Sequence, residues 1–148
     1  MQVSQKCLYA LRAIFELAKR KDEGPTKIGD VAEAQAIPQR FLESILNQLK
    51  QAGFVESHRG SNPGYILIRS PDDLAVGEII EFVEGPIGPT ACLIGKSNFN
   101  ECPLRSECIF MSMWEEIHNV ISEVYNRTTI GDLVRRENKQ APPCKAKE

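Results

Sequence analysis

The sequence lacks any apolar run approaching the ~20 residues that a bilayer-spanning helix needs, and Met1 to Lys6 lacks the basic-then-apolar order of a signal peptide. A cytoplasmic protein with no membrane partner is expected. No Ser/His/Asp set, phosphate-binding glycine loop or pair of catalytically spaced carboxylates is present, which points away from an enzyme. Histidine is scarce, with only His58 and His118, and no Cys-x2-Cys pair occurs, which counts against the commonest structural zinc patterns. There is no internal repeat.

What is there is ordinary in bulk and uneven in detail. The 148 residues suit one domain, or one domain with a long appended helix. Hydrophobic residues at 42% and charged residues at 26% are the mix of a globular protein. The net charge of −2 hides an asymmetry. Residues 1–70 hold ten Lys/Arg against seven Asp/Glu, and residues 71–148 hold eight against thirteen. A +3 half beside a −5 half suggests that the first half meets a polyanion. The five cysteines are an odd number, three of them between Cys92 and Cys108. Such clustering reads as metal or redox chemistry before disulfides.

Periodicity organises the chain. Leu8, Leu11, Phe15 and Ala18 recur at helical spacing and predict an inward stripe on a first helix, broken at Gly24-Pro25. A short second helix turns Ile28, Val31 and Ala32 inward. Pro38 opens a third that buries Phe41, Leu42, Ile45, Leu46 and Leu49 and stops near Gly53. Two short helices joined by a tight turn match a helix-turn-helix. Residues 54–58 and 65–69 then read as two strands around a polar tip at 59–64. A helix-turn-helix followed by a hairpin is the order of a winged helix; the plainer alternative is an α+β domain whose hairpin only covers the core. The basic first half favours the wing.

A helix carrying Val76, Ile79, Ile80 and Val83 ends at Gly85, and the Gly/Pro-rich stretch to Gly95 reads as a loop. Phe110, Met113, Trp114, Ile117, Val120, Ile121 and Val124 then trace a helix of about 22 residues, ~33 Å long. A domain this small cannot cover such a stripe, so a second copy is its expected cover, giving a homodimer. Thr129-Ile130-Gly131-Asp132 has the form of a capping box and starts a last short helix. The fold class is therefore mainly α with a small β-hairpin wing. The expected divisions are a winged helix-turn-helix domain at 1–84, a cysteine-bearing sensor loop at 85–109, a dimerisation helix and short terminal helix at 110–136, and a disordered tail at 137–148.

The start of a recognition helix reaches base edges in the major groove. Here it offers Gln39, Arg40, Glu43 and Ser44. Arg pairs with guanine, Gln with adenine, and Glu accepts from cytosine. His58 and Arg59 flank the wing tip, where an arginine can enter a narrow minor groove. Lys6, Arg12, Lys27 and Lys50 are phosphate contacts or solvated charges. Cys92, Cys102 and Cys108 sit on a polar loop that lets three thiolates converge on one soft metal centre. The alternative is a set of buried small hydrophobes. His118 falls mid-helix, on an exposed or interfacial face, and is a weak ligand candidate.

The opening Met1-Gln2-Val3-Ser4-Gln5-Lys6-Cys7-Leu8-Tyr9-Ala10-Leu11-Arg12-Ala13, the helix-turn-helix, and Phe54-Val55-Glu56-Ser57-His58-Arg59-Gly60 resemble the IscR-like (Rrf-type) family of bacterial regulators. Gly64-Tyr65, Val76-Gly77-Glu78-Ile79-Ile80, Cys102-Pro103-Leu104-Arg105 and Thr129-Ile130-Gly131-Asp132-Leu133-Val134 extend the resemblance across about residues 1–136. It implies a dimeric winged-helix transcription regulator that binds double-stranded DNA at palindromic promoter sites. It also implies an iron–sulfur cluster, 2Fe–2S or 4Fe–4S, on Cys92, Cys102 and Cys108, sensing iron–sulfur status, redox or nitric oxide. DNA reading falls on Arg40, Glu43 and Arg59. A metal-free regulator of the same fold, acting as a thiol switch or small-molecule sensor, is the alternative. The chain departs from the family in three ways. The first cysteine gap has nine residues where five are usual, the wing has Gly60-Ser61-Asn62-Pro63-Gly64 in place of a glycine-richer run, and the fourth-ligand positions hold Met111 and Leu8. Cys7 is the candidate substitute, with packing in the first helix as its alternative role. Cys144, in the tail, is expected to be unliganded.

Overall fold

Ser4 starts the first helix by accepting a hydrogen bond from the Cys7 N–H at 3.1 Å, and α1 (Gln5–Lys19) follows. The structure is a computed structural model that describes residues 2–95 and 102–140. Helix α1 is the central post. It packs against α2 (Ile28–Gln35), α3 (Gln39–Gln51), α4 (Val76–Glu84) and α7 (Ile130–Lys139). Its core face carries Cys7, Ala10, Ala13, Ile14 and Leu17, whose small members let neighbouring helices come close. The predicted stripe is therefore wrong in part: Ala18 is buried, but Leu11 and Phe15 are half-buried and Leu8 is 38% exposed. Apolar size does not mark the inner face of a helix surrounded on most sides.

Between α2 and α3 the chain turns at Ala36, whose φ of 52° makes it the one non-glycine residue with positive φ among the described residues. The Ile37 N–H bonds back to the Ala32 carbonyl at 2.9 Å and closes that turn. Leu42, Ile45, Leu46 and Leu49 are buried as predicted, but Phe41 is 47% exposed. The wing is an antiparallel pair, β1 (Val55–His58) with β2 (Gly64–Leu67), in register Val55↔Leu67 to His58↔Gly64. It does not stand alone. Thr26 and Tyr65 exchange backbone hydrogen bonds at 3.0 and 2.8 Å, which ties the wing to the linker ahead of α2. Gly64 makes this possible: at φ 155°, an added Cβ would lie 2.5 Å from the Thr26 carbonyl oxygen.

Val76, Ile79 and Ile80 of α4 are buried, and Gly77 lets α6 (Met111–Arg127) come close at Tyr125 and Asn126. A one-turn helix, α5 (Ala91–Ile94), interrupts the stretch read as loop. Helix α6 has 17 residues, ~26 Å, shorter than predicted, and none of its side chains is fully buried. Val120 is 56% exposed, with Met113 and Val124 also exposed, while Trp114 and Ile117 are half-buried. The capping box is present: the Asp132 N–H donates to Thr129 Oγ1 and the Thr129 N–H to Asp132 Oδ2, both at 3.0 Å. That backbone bond and Arg135 hold the Asp132 carboxyl at about 2. Helix α7 continues to Lys139, past the predicted end at 136, and Glu137 pairs with Lys19 of α1 at 2.9 Å. The rest of the predicted tail, residues 141–148, lies outside the described residues.

Candidate DNA interface and cysteine segment

The Thr26–Tyr65 bridge brings the linker, α3 and the wing around one cleft of about 750 Å³. Arg40, Glu43, Ser44, Asn47 and Lys50 line it from α3, Ser57 and His58 from β1 and Arg59 from the tip, and Lys27 from the linker. Five of the six predicted DNA-reading residues therefore meet in one place. The sixth, Gln39, is exposed at the start of α3 and points its Oε1 toward Gly29 of α2. Lys27, Arg40, Lys50 and Arg59 make no ion pair among the described residues, whereas Arg20 and Arg69 are each neutralised by a glutamate at 2.7 and 2.6 Å. The cleft thus presents four uncompensated cations around one carboxylate, a field that attracts a polyanion.

The side chains differ in how they are held. The Arg40 guanidinium stacks 4.6 Å from the centre of the Phe41 ring. His58 Nε2 lies 2.9 Å from Glu56 Oε1, near enough to pair but off the line a hydrogen bond needs. Lys6 lines a separate cleft between α1 and α3. Arg12 lines neither, and borders another cleft with Leu133 and Arg136 of α7. Asn47 and Ser57 are among the lining residues that escaped the sequence reading. Asn47 lies one turn beyond Glu43, so helical periodicity could have found it. Ser57 carried no local signal.

The cysteine segment is less assembled. Cys92 on α5, Cys102, and Cys108 just before α6 are half-buried and free. Cys92 Sγ sits 2.9 Å from Thr90 Oγ1. Among the described residues no three Cys, His, Asp or Glu side chains are gathered to hold a metal. Cys7 is fully buried, and burial first, then the Glu84 charge, pushes its thiol up to about 11. It is a packed thiol rather than a ready thiolate ligand. Cys144 lies outside the described residues. Met111 begins α6, and Leu8 is a partly exposed residue of α1. His118 is half-buried on α6. Its Nδ1 is shut from solvent without a hydrogen-bond partner and faces Gly88.

A family model described as Rrf2, iron-dependent transcriptional regulator, matches residues 3–136. The chain belongs to this family. Its relatives are transcriptional regulators, and the winged-helix reading holds: this is a DNA-binding regulator of the Rrf2 family. The HTH-type transcriptional regulator CymR of Bacillus subtilis is 36% identical over 133 residues, 90% of this chain and 89% of that protein. The HTH-type transcriptional regulator IscR of Photobacterium profundum is 33% identical over 140 residues, 95% of this chain and 79% of that one. Among solved structures, CymR, described as the global cysteine regulator of B. subtilis, aligns with a TM-score of 0.75 at 34% identity, covering 92% of this chain and 98% of its own. T. potens IscR also aligns at 0.75, with 32% identity and coverage of 96% and 93%. The Rrf2 relatives thus include both IscR and CymR proteins. Among the described residues, no helix is long and apolar enough to cross a membrane.

Proposed function

We propose that this Rrf2-family regulator binds a palindromic double-stranded promoter site as a homodimer, through α3 and the wing, under control of an iron–sulfur cluster held by Cys92, Cys102 and Cys108. One observation carries the DNA reading: Lys27, Arg40, Lys50 and Arg59 converge on one cleft, and none of them is ion-paired among the described residues. The lysines neutralise phosphates. Arg40, Glu43 and Ser44 address base edges, with Glu43 rejecting sequences that lack a donor opposite it. Arg59 enters the minor groove beside the wing. The exposed apolar side chains of α6 support a second copy as their cover. Fluorescence anisotropy with a labelled duplex across a salt series tests the DNA reading. Specific binding with a steep salt dependence is expected. Affinity equal for all sequences overturns it.

The donor set fits a soft metal: three free thiols on one segment. When bound, a cluster supplies a redox-active, thiolate-ligated centre. Cys92, Cys102 and Cys108 would hold it, and Cys7 is unsuited because its proton is held by burial and by the Glu84 charge. A second reading, a thiol switch without metal, draws support from two observations: the thiols are not gathered among the described residues, and one relative is described as a cysteine regulator. Anaerobic purification separates the two. A brown protein with visible absorption lost in Cys102→Ser supports the cluster. A colourless protein whose DNA affinity changes when thiols are oxidised supports the switch.

A further inference from the structure

The polar ridge of α3 separates two clefts. Arg40, Glu43 and Asn47 face the one under the wing. Phe41, Ile45 and Gln48 face a second, of about 430 Å³, closed on its far side by Gln5, Lys6 and Tyr9 of α1. Ser44 lines both, so both open along the same ridge. The second cleft is more apolar than a phosphate seat requires. Its anomaly is Phe41, 47% exposed on a helix whose other large apolar side chains are buried. The Arg40 guanidinium over its ring fixes the ring in place by a cation–π contact. An aromatic held rigid beside residues that face base edges loses little freedom on binding.

We propose that Phe41, backed by Tyr9 and Ile45, is a specificity determinant that takes the C5 methyl of a thymine, while Lys6 takes a phosphate of the flanking strand. The inference rests on α3 being the recognition helix. Thymine is the one base that presents an apolar group in the major groove, and an exposed phenyl ring in that groove has no other matching partner among unmodified bases. Lys6 on the rim of the same cleft supplies charge complementary to the backbone. The cleft is continuous with the wing cleft through Ser44, so DNA engaged by one is presented to the other.

The test removes only the methyl. A duplex is selected by the unaltered protein from a random pool, and each thymine in it is replaced in turn by uracil. One thymine in each half-site is expected to lose about fourfold in affinity, the worth of one buried methyl. In Phe41→Ser that penalty disappears while the remaining base preferences persist. In Phe41→Leu, which keeps an apolar surface, it survives in part. Lys6→Ala weakens all sequences alike and lowers the salt slope by about one. If no thymine shows a penalty with the unaltered protein, or if the penalty is unchanged in Phe41→Ser, the assignment is overturned and α3 keeps its reading role. If the pool yields no preferred sequence at all, the reading of α3 falls and the assignment with it.

Discussion

The Glu84 carboxylate accepts hydrogen bonds from both the backbone N–H of Ser4, at 2.9 Å, and its hydroxyl. Ser4 caps α1, and Glu84 is the last residue of α4, where the chain enters the cysteine segment. The contact places a negative charge at the positive end of α1 and joins two points 80 residues apart. Glu84→Gln is expected to cost about 1 kcal/mol, visible as a lower urea midpoint. It should also lower the Cys7 pKa from about 11, since the Glu84 charge is one of its causes. Thiol reactivity against pH reads that shift. An unmoved reactivity profile would mean that burial alone holds the proton.

Gly64 is required by the space it occupies. Gly64→Ala drives a methyl group into the Thr26 backbone at a φ that L residues rarely adopt. A cost of roughly 1–3 kcal/mol is expected, with weaker DNA binding because the wing loses its tie to the linker. Urea denaturation and anisotropy on the same variant check both effects.

Ala36 is the converse case. Its left-handed φ of 52° strains an L residue and suits glycine. Ala36→Gly should raise stability by about 0.5–1 kcal/mol without changing DNA affinity, and a lower urea midpoint would contradict it.

Glu16 is a buried carboxylate, 2% exposed. Burial raises its pKa, but hydrogen bonds from Gln35 and Arg20, with the nearby Lys19 charge, outweigh that and leave it lowered. A carboxyl whose folded pKa is depressed stabilises the fold above its unfolded pKa, ~4.3. It loses that contribution as pH falls through the folded value. Denaturation midpoints should therefore drop on acidification below about pH 4.5. The drop should be shallower in Glu16→Gln, which is itself less stable at pH 7 by about 1–2 kcal/mol. Equal acid slopes in the two proteins would refute the assignment.

The apolar flank of α6 offers a direct test of self-association. Val120 is 56% exposed, so Val120→Glu leaves the protomer's own packing intact. Sedimentation velocity should show monomer for the variant and dimer for the unaltered chain. A dimeric variant moves the interface elsewhere.

Local signals were legible where the chain solves its problems locally. Thr129 and Asp132 form the reciprocal cap that their spacing predicts, because both partners lie within one turn. The α2–α3 pair and the hairpin were legible for the same reason, and with them the placing of Arg40, Glu43, Ser44, His58 and Arg59 around one cleft. Non-local relationships were not. The exposure of Phe41 depends on where α1 lies, and hydropathy alone assigns any phenylalanine to the core. Lys27 reaches the cleft through the Thr26–Tyr65 bridge, which pairs residues 39 apart with no sequence pattern. The pairing of Glu137 at the end of α7 with Lys19 of α1 joins residues 118 apart and left no local signal.

That bridge also constrains how the sequence can change. An isolated pair of four-residue strands is marginal in water, so the wing borrows rigidity from a linker that precedes the recognition helix in the chain. Backbone pairing alternates sides with every residue. A one-residue insertion or deletion between Arg20 and Thr26 would turn the paired groups of Thr26 away from Tyr65 and let the wing swing. The tip at 59–63 has no such backbone pairing; it is held by side chains, with Asn62 beside Gly24 of the linker and Arg59 at the cleft. The separation between recognition helix and wing is thus tuned by indels in a segment that need not touch DNA, while the tip is constrained by Arg59 at the cleft.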